Sequence, residues 1–257
     1  MTNQFKSGAF LIGKPLFNFI RGGVRSVADF IYPPVCLLCG GGFERGRWLC
    51  PGCLSRIRDS RRIVIHARPE DFPYLSGMLH FDSVFTAWEF NKDLEQLIHS
   101  AKYSGMKNLA RFMGATAGDV LAHDATFTGS PFQIMIPIPL HKIRQRERGY
   151  NQSRFVCDGL SESLGIPILP DGLYRKRYTL TQTGKSGEER QENVRDAFRT
   201  RHPERIRGKS ILLVDDVMTT GSTMNSCAKA LKEAGAERVH GITLARPLMG
   251  VFRGQTA

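Results

Sequence analysis

The sequence predicts an α/β fold in which a parallel sheet carries helices on its faces, preceded by a small cysteine-bearing module. Three observations carry this expectation. Short, fully apolar runs such as Ile211–Val214 alternate with stretches whose apolar residues follow helical spacing, and buried strands separated by helices pair in parallel. Two C-x-x-C pairs stand together near the N-terminus. The composition, 41% hydrophobic and 23% charged over 257 residues, is that of a globular chain long enough to bury a core without disulfides.

In chain order, residues 1–32 read as an amphipathic helical segment. Leu16, Phe17, Ile20, Val24, Val27 and Phe30 recur at spacings of three and four, although Gly22 and Gly23 weaken the helix. It docks on the body or, with Arg21 and Arg25 flanking the stripe, lies on a membrane surface. Pro33-Pro34 ends it and opens a module over 33–60. Residues 61–80 are polar and mixed, with Pro69 and Pro73, and read as a linker. The main domain follows over 81–247, with a tail at 248–257. It begins with the apolar run Val84–Phe90, a helix carrying Leu94, Leu97, Ile98 and Ala101, and a second helix over Leu109–Leu121. Then come a strand at Gln133–Ile138, a basic loop, a helix at Gln152–Leu164, and strands at Ile211–Val214 and Val239–Leu244. No repeat recurs at a fixed period.

Lys and Arg number 36 against 24 Asp and Glu, a net charge of +12, which favours anionic partners such as phosphates, nucleic acid or acidic lipid heads. No stretch has 18 consecutive apolar residues, so no membrane span is expected. The short apolar run Ala9–Ile12 does not make a secretory signal. The expected location is cytoplasmic, where thiols stay reduced, so the six cysteines need an explanation other than disulfides.

Cys36, Cys39, Cys50 and Cys53 supply it. Each tight C-x-x-C turn points two sulfurs to one side, and two facing turns complete a tetrahedral thiolate site suited to zinc. Four ligands leave no open position, so the metal of this four-cysteine zinc ribbon is expected to be structural. The alternatives are an iron–sulfur cluster, a disulfide pair or a redox C-x-x-C. Cys157 and Cys227 fall within helical apolar patterns and read as core residues.

The segment Ile211–Thr223 carries the most chemistry. A buried strand ends in two adjacent carboxylates, Asp215 and Asp216, followed by a loop of small hydroxyl residues, one glycine and a helix. Backbone N–H groups at such a helix start cradle a phosphate. Gly221 lets the backbone close on the anion, and Thr219, Thr220, Ser222 and Thr223 add hydroxyl donors. The acids can accept hydrogen bonds from the cis hydroxyls of a ribose held by its 5′-phosphate, or hold a hydrated Mg²⁺. The plain alternative is a strand cap plus a turn.

Val214–Thr223 resembles the type I phosphoribosyltransferase signature for 5-phosphoribosyl 1-pyrophosphate (PRPP). The resemblance implies that Asp215 and Asp216 bind the ribose hydroxyls, that Thr219, Thr220, Gly221, Ser222 and Thr223 hold the 5′-phosphate, and that Mg²⁺ accompanies PRPP. Hypoxanthine-type members usually carry an acid where this chain has Thr219, which argues against a 6-oxopurine acceptor.

The basic stretch beginning Leu140-His141-Lys142 and ending at Arg154 contains five basic residues between Lys142 and Arg154 against the single acid Glu147. Alone it reads as a solvated basic face. Beside a PRPP signature it becomes a pyrophosphate loop, with Leu140, His141, Lys142 and above all Arg148 steadying the leaving group. The polar segment Arg175–Phe198 is either a lid bringing Lys185 or Arg190 to the reaction or a plain surface connection.

Together these parts resemble the ComF/GntX family. The resemblance runs from the cysteine pairs through Lys102-Tyr-Ser-Gly105, Pro137–His141, Arg148–Gln152, Gln182-Thr-Gly184, Arg190, Asn193, Ala197-Phe198 and the PRPP signature, over about residues 25–247. It implies a type I phosphoribosyltransferase-like fold and a link to natural competence. Two functions follow as expectations. The first is Mg²⁺-dependent phosphoribosyl transfer to a nitrogen acceptor, with Arg148, Lys142, Lys185 and Arg190 as catalytic candidates. The second is a single-stranded DNA-binding competence factor that uses the fold as a scaffold or PRPP sensor, working with the competence machinery. Its basic ribbon holds Arg45, Arg47 and Trp48.

Overall fold

The structure is a computed structural model that describes residues 35–42, 47–59, 63–66, 72, 75, 78–103, 105–140, 142–176 and 197–247. The expected N-terminal helix, His141, Lys185, Arg190 and the C-terminal tail lie outside the described residues, as do the side chains of 63–66 and of Lys142. The chain divides into two compact units, Met1–Cys53 and Leu54–Ala257.

In the first unit, Cys36, Leu49 and Cys53 are the buried side chains among the described residues. An isolated antiparallel bridge joins Val35 to Gly42 around the first cysteine turn. The second cysteine pair leads into helix α1, Pro51–Arg58, with proline at its first position, where no N–H is needed.

The second unit is built on a five-stranded sheet. Strands β1 (Ile63–His66), β2 (Ser83–Glu89), β3 (Ile134–Pro137), β6 (Ser210–Val217) and β7 (Arg238–Arg246) are ordered β1-β2-β7-β6-β3. The last four run parallel and β1 is antiparallel at the edge. The strands expected from apolar runs are all present, and β6 has four consecutive fully buried residues, Ile211–Val214, as a strand covered on both faces requires. Between strands lie α2 (Lys92–Tyr103), α3 (Lys107–Leu121), α4 (Ala125–Thr128), α5 (Lys142–Arg148), α6 (Gln152–Leu164), α7 (Pro203–Ile206) and α8 (Ser222–Glu233). A small antiparallel pair, β4 (Leu173–Arg175) and β5 (Phe198–Thr200), stands apart.

Two expectations are corrected. Within 61–80, read as a linker, Ile63–His66 pairs with β2; four residues after two arginines are too few to show a period. The stretch 142–148, read as loop, is helix α5. Its basic side chains are good helix formers, but they leave no apolar stripe to reveal it.

Helices α3 and α6 pack backbone to backbone. A Cβ on Gly159 would collide with the Arg111 carbonyl oxygen and reach within 2.5 Å of the Ala115 nitrogen, and one on Gly114 would meet the Val156 carbonyl oxygen. Neither obstacle can rotate away. Gly159→Ala is expected to lower stability by about 3 kcal/mol through overpacking, read as a lower urea midpoint. An unchanged midpoint would show that the helices can part.

Candidate functional site

The site lies where β6 ends. Four buried apolar residues carry the strand through the core, so its next two residues, Asp215 and Asp216, emerge at the carboxyl edge of the parallel sheet, where open α/β sheets bind ligands. Asp215 Oδ1 accepts the Ser153 hydroxyl and the Asp216 N–H, each at 2.9 Å. Asp216 Oδ1 accepts the Val217 N–H at 2.7 Å, and its Oδ2 pairs with Lys102 Nζ at 3.0 Å. Burial, and then the neighbouring Asp216 charge, push the Asp215 carboxyl up to about 7, against the Ser153 and Asp216 hydrogen bonds and the Lys102 charge. Two adjacent acids thus differ in environment: Asp215 is closed in, and Asp216 is paired with an ammonium.

After the acids the chain turns sharply. Met218 tucks into the core, while Thr219 and Thr220 are exposed. Gly221 adopts φ 85° immediately before α8, a left-handed conformation that favours glycine. A Cβ there would also stand 3.1 Å from the Phe72 ring. Gly221, the residue at the start of this helix, has no side chain to cap it, and the Thr220 hydroxyl accepts the Ser222 N–H at 3.4 Å; the first turn of a helix otherwise offers N–H groups with no intrahelical partner. The Thr220 and Ser222 hydroxyls lie 3.0 Å apart at its mouth, and Thr223 is exposed. On one side, Asn225 of α8 accepts the His80 N–H at 2.7 Å and donates to the Met78 carbonyl at 3.1 Å, and the buried Arg246 guanidinium lies 4.7 Å from the Phe72 ring centroid.

On the other side, the end of α2 is held by residues of α5 and α6 and the turn between them. The Tyr150 hydroxyl donates to the Ala101 carbonyl, and Gln152 Nε2 donates to the Lys102 carbonyl at 3.5 Å. Arg148 donates to the Tyr103 hydroxyl at 3.2 Å and to Gln152 Oε1 at 3.1 Å, with its guanidinium 5.1 Å from the Tyr103 ring centroid. Its Nε is buried without a hydrogen-bond partner among the described residues.

The cysteines form a second, separate cluster. Ligand sulfurs of Cys36, Cys39, Cys50 and Cys53 all lie within 4.8 Å of one another, and Cys39 and Cys50 are 3.8 Å apart. That matches the edge of a tetrahedron whose metal–sulfur bonds are about 2.3 Å. The Cys50 N–H donates to Cys36 Sγ at 3.4 Å. Burial pushes the Cys36 thiol up, but the surrounding backbone N–H groups outweigh it and bring it down to about 6. Burial and the neighbouring thiols push Cys53 up to about 12. Four such sulfurs can hold one metal ion.

Residues 156–253 match the phosphoribosyl transferase domain. Over 229 residues the chain is 40% identical to competence protein F of Haemophilus influenzae, covering 82% of this chain and 96% of that protein. The chain belongs to the competence protein F family. Within it, the chain is 28% identical to the DNA utilization protein YhgH of Escherichia coli K12, over 84% of this chain and 98% of that one. It is 28% identical to competence protein ComFC of Streptococcus pneumoniae, over 82% and 87% of the two chains. Among solved structures, the glutamine phosphoribosylpyrophosphate amidotransferase of B. subtilis is similar over 52% of this chain and 26% of its own, at 26% identity and a TM-score of 0.36. The fold expected from the sequence, a phosphoribosyltransferase-type parallel sheet with an N-terminal cysteine cluster, is the one this family member has.

Of the site residues expected from sequence, Asp215, Asp216 and the 219–223 loop share one strand-to-helix junction. Leu140 follows β3 and is half-buried, and Arg148 joins the cluster through Tyr103. Lys142 opens α5. Sequence reasoning missed Lys102 and Ser153, which touch the acids. Each lies far along the chain from the acids, and the one signal for Lys102 was its place in the family-like stretch Lys102–Gly105.

Proposed function

We propose that the chain binds PRPP at the end of β6 and transfers its phosphoribosyl group to a nitrogen nucleophile. The observation that supports this best is the sequence of groups along a single strand–helix junction: two carboxylates, then a hydroxyl-rich turn with Gly221 at φ 85°, then the start of a helix. The spacing suits a ribose 5-phosphate. The first-turn N–H groups and the hydroxyls of Thr219, Thr220, Ser222 and Thr223 receive the phosphate, and Asp215 and Asp216 accept from the ribose hydroxyls. Arg148 supplies cationic donors for the pyrophosphate, with Lys142 expected beside it. The C1–oxygen bond breaks with its electron pair leaving on pyrophosphate, the acceptor nitrogen bonds to C1, and its proton passes to water. Catalysis by such a site is positioning plus electrostatics. Mg²⁺ would arrive on the diphosphate, whose charge it would neutralise, and the hard carboxylate oxygens of Asp215 and Asp216 would lie beside it. The cysteine cluster holds zinc as a structural ion, its four thiolates leaving no open position. Among the described residues no helix is long and apolar enough to cross a membrane.

Titrating PRPP calorimetrically into the zinc-loaded chain, with and without Mg²⁺, is expected to show Mg²⁺-enhanced binding. A folded chain that gives no heat with PRPP would remove the reading. Pyrophosphate release across candidate amines would then identify the acceptor.

A second reading, single-stranded DNA binding, draws on the exposed Arg144 and Arg146 of α5 and on Tyr103, which is 62% exposed beside Arg148. An aromatic ring set among cations is the usual stacking platform. Binding that falls steeply with salt supports it, and no binding at low salt removes it.

A further inference from the structure

Lys102 is outside the mechanism just given, yet it is built into the site. Its ammonium stands 3.0 Å from Asp216 Oδ2, and the two side chains are only 20% and 15% exposed. The backbone that carries it is anchored on three successive residues. Ala101 O accepts from Tyr150, Lys102 O accepts from Gln152, and the Tyr103 hydroxyl accepts from Arg148. A lysine in the last turn of a helix already suits the helix dipole. Here the end of that helix is also pinned by Arg148, Tyr150 and Gln152, so the ammonium is held toward Asp216.

The consequence concerns cations. Two adjacent carboxylates with free oxygens invite a divalent ion. In this site Asp215 Oδ1 carries two donors, Asp216 Oδ1 carries one, and Asp216 Oδ2 carries the ammonium. A bare Mg²⁺ would have to displace a tethered, largely desolvated charge while shedding water it gives up reluctantly. Sugar hydroxyls face no such competition, because they donate to a carboxylate that keeps its ammonium. We propose that Lys102 is a positioning residue that makes the acid pair selective: it holds Asp216 in place of a free divalent cation, so that metal enters only when a diphosphate ligand carries it in. This rests on the phosphoribosyl reading.

The test uses Mn²⁺ as probe on the full-length, zinc-loaded chain, followed by electron paramagnetic resonance. Lys102→Met is expected to bind free Mn²⁺ at least roughly tenfold more tightly than the native chain. Lys102→Arg restores the exclusion, and adding Asp216→Asn to Lys102→Met abolishes the gained site. Circular dichroism reports the fold, and Lys102→Gln serves if the methionine variant does not fold. Equal Mn²⁺ binding by native chain and variants, with PRPP still bound by the native chain, overturns the role of Lys102 alone. Absence of PRPP binding by the folded native chain overturns the phosphoribosyl reading and this proposal with it.

Discussion

The double substitution Asp215→Asn with Asp216→Asn is expected to weaken PRPP binding by about 100-fold, some 2.7 kcal/mol, with no loss of folding. Each carboxylate would accept a hydroxyl hydrogen bond to a charged group, worth about 1.5–3 kcal/mol, and an amide keeps only the weaker, neutral version. The variant also releases Lys102 from Asp216. Stability should move the other way. The Asp215 carboxyl is raised to about 7 in the fold by burial and by Asp216, above its ordinary value near 3.9. Between those values the native state holds a proton that the unfolded chain has lost, so Asp215 makes stability fall as pH rises from about 4 to about 7. Asp215→Asn should flatten that part of the denaturation profile. Affinity by calorimetry and urea midpoints at pH 5 and pH 8 check both halves. Unchanged PRPP affinity would remove the acids from the ligand site.

Removing the metal from the cysteine cluster is expected to have the other large effect, confined to the first unit. Between Val35 and Cys53 the buried side chains among the described residues are Cys36, Leu49 and Cys53, far too little apolar area to hold a fold. The binding free energy of such a zinc site, about 10–16 kcal/mol, is then folding free energy. The purified chain should release one zinc ion on thiol modification. After chelation, or in Cys53→Ser, trypsin should cleave rapidly at Arg47, while the parallel-sheet unit keeps its protection and its PRPP binding. A metal-free preparation with undiminished protease resistance at Arg47 would show that the cysteines hold no structural ion.

How much of this was legible beforehand depended on how local the signal is. The helix Gln152–Leu164 was readable to the residue because its apolar positions repeat and Gly165 ends it. Strand β6 was readable because four consecutive apolar residues admit little else. By contrast, α5 has no apolar stripe, β1 is four residues beside a proline-bearing stretch, and β5 is a three-residue strand whose pairing with β4 spans a long intervening segment. No local period marks any of them.

The site divides in the same way. Asp215, Asp216 and the 219–223 turn are contiguous, so the paired carboxylates and the hydroxyl-rich turn after them follow from residue types in sequence, as does the cluster of four cysteines. Lys102 and Ser153 are 114 and 62 residues from the acids they touch along the chain. Nothing in their own surroundings marks them, since an ion pair between a helix end and a strand end exists only once α2 and α6 have packed on the sheet. The chain's own order thus determined which groups are brought together locally, a hydroxyl-rich turn beside paired acids and a set of four thiols able to hold a metal ion. Tertiary packing decided the electrostatics, because burial raised one acid and a distant lysine neutralised the other.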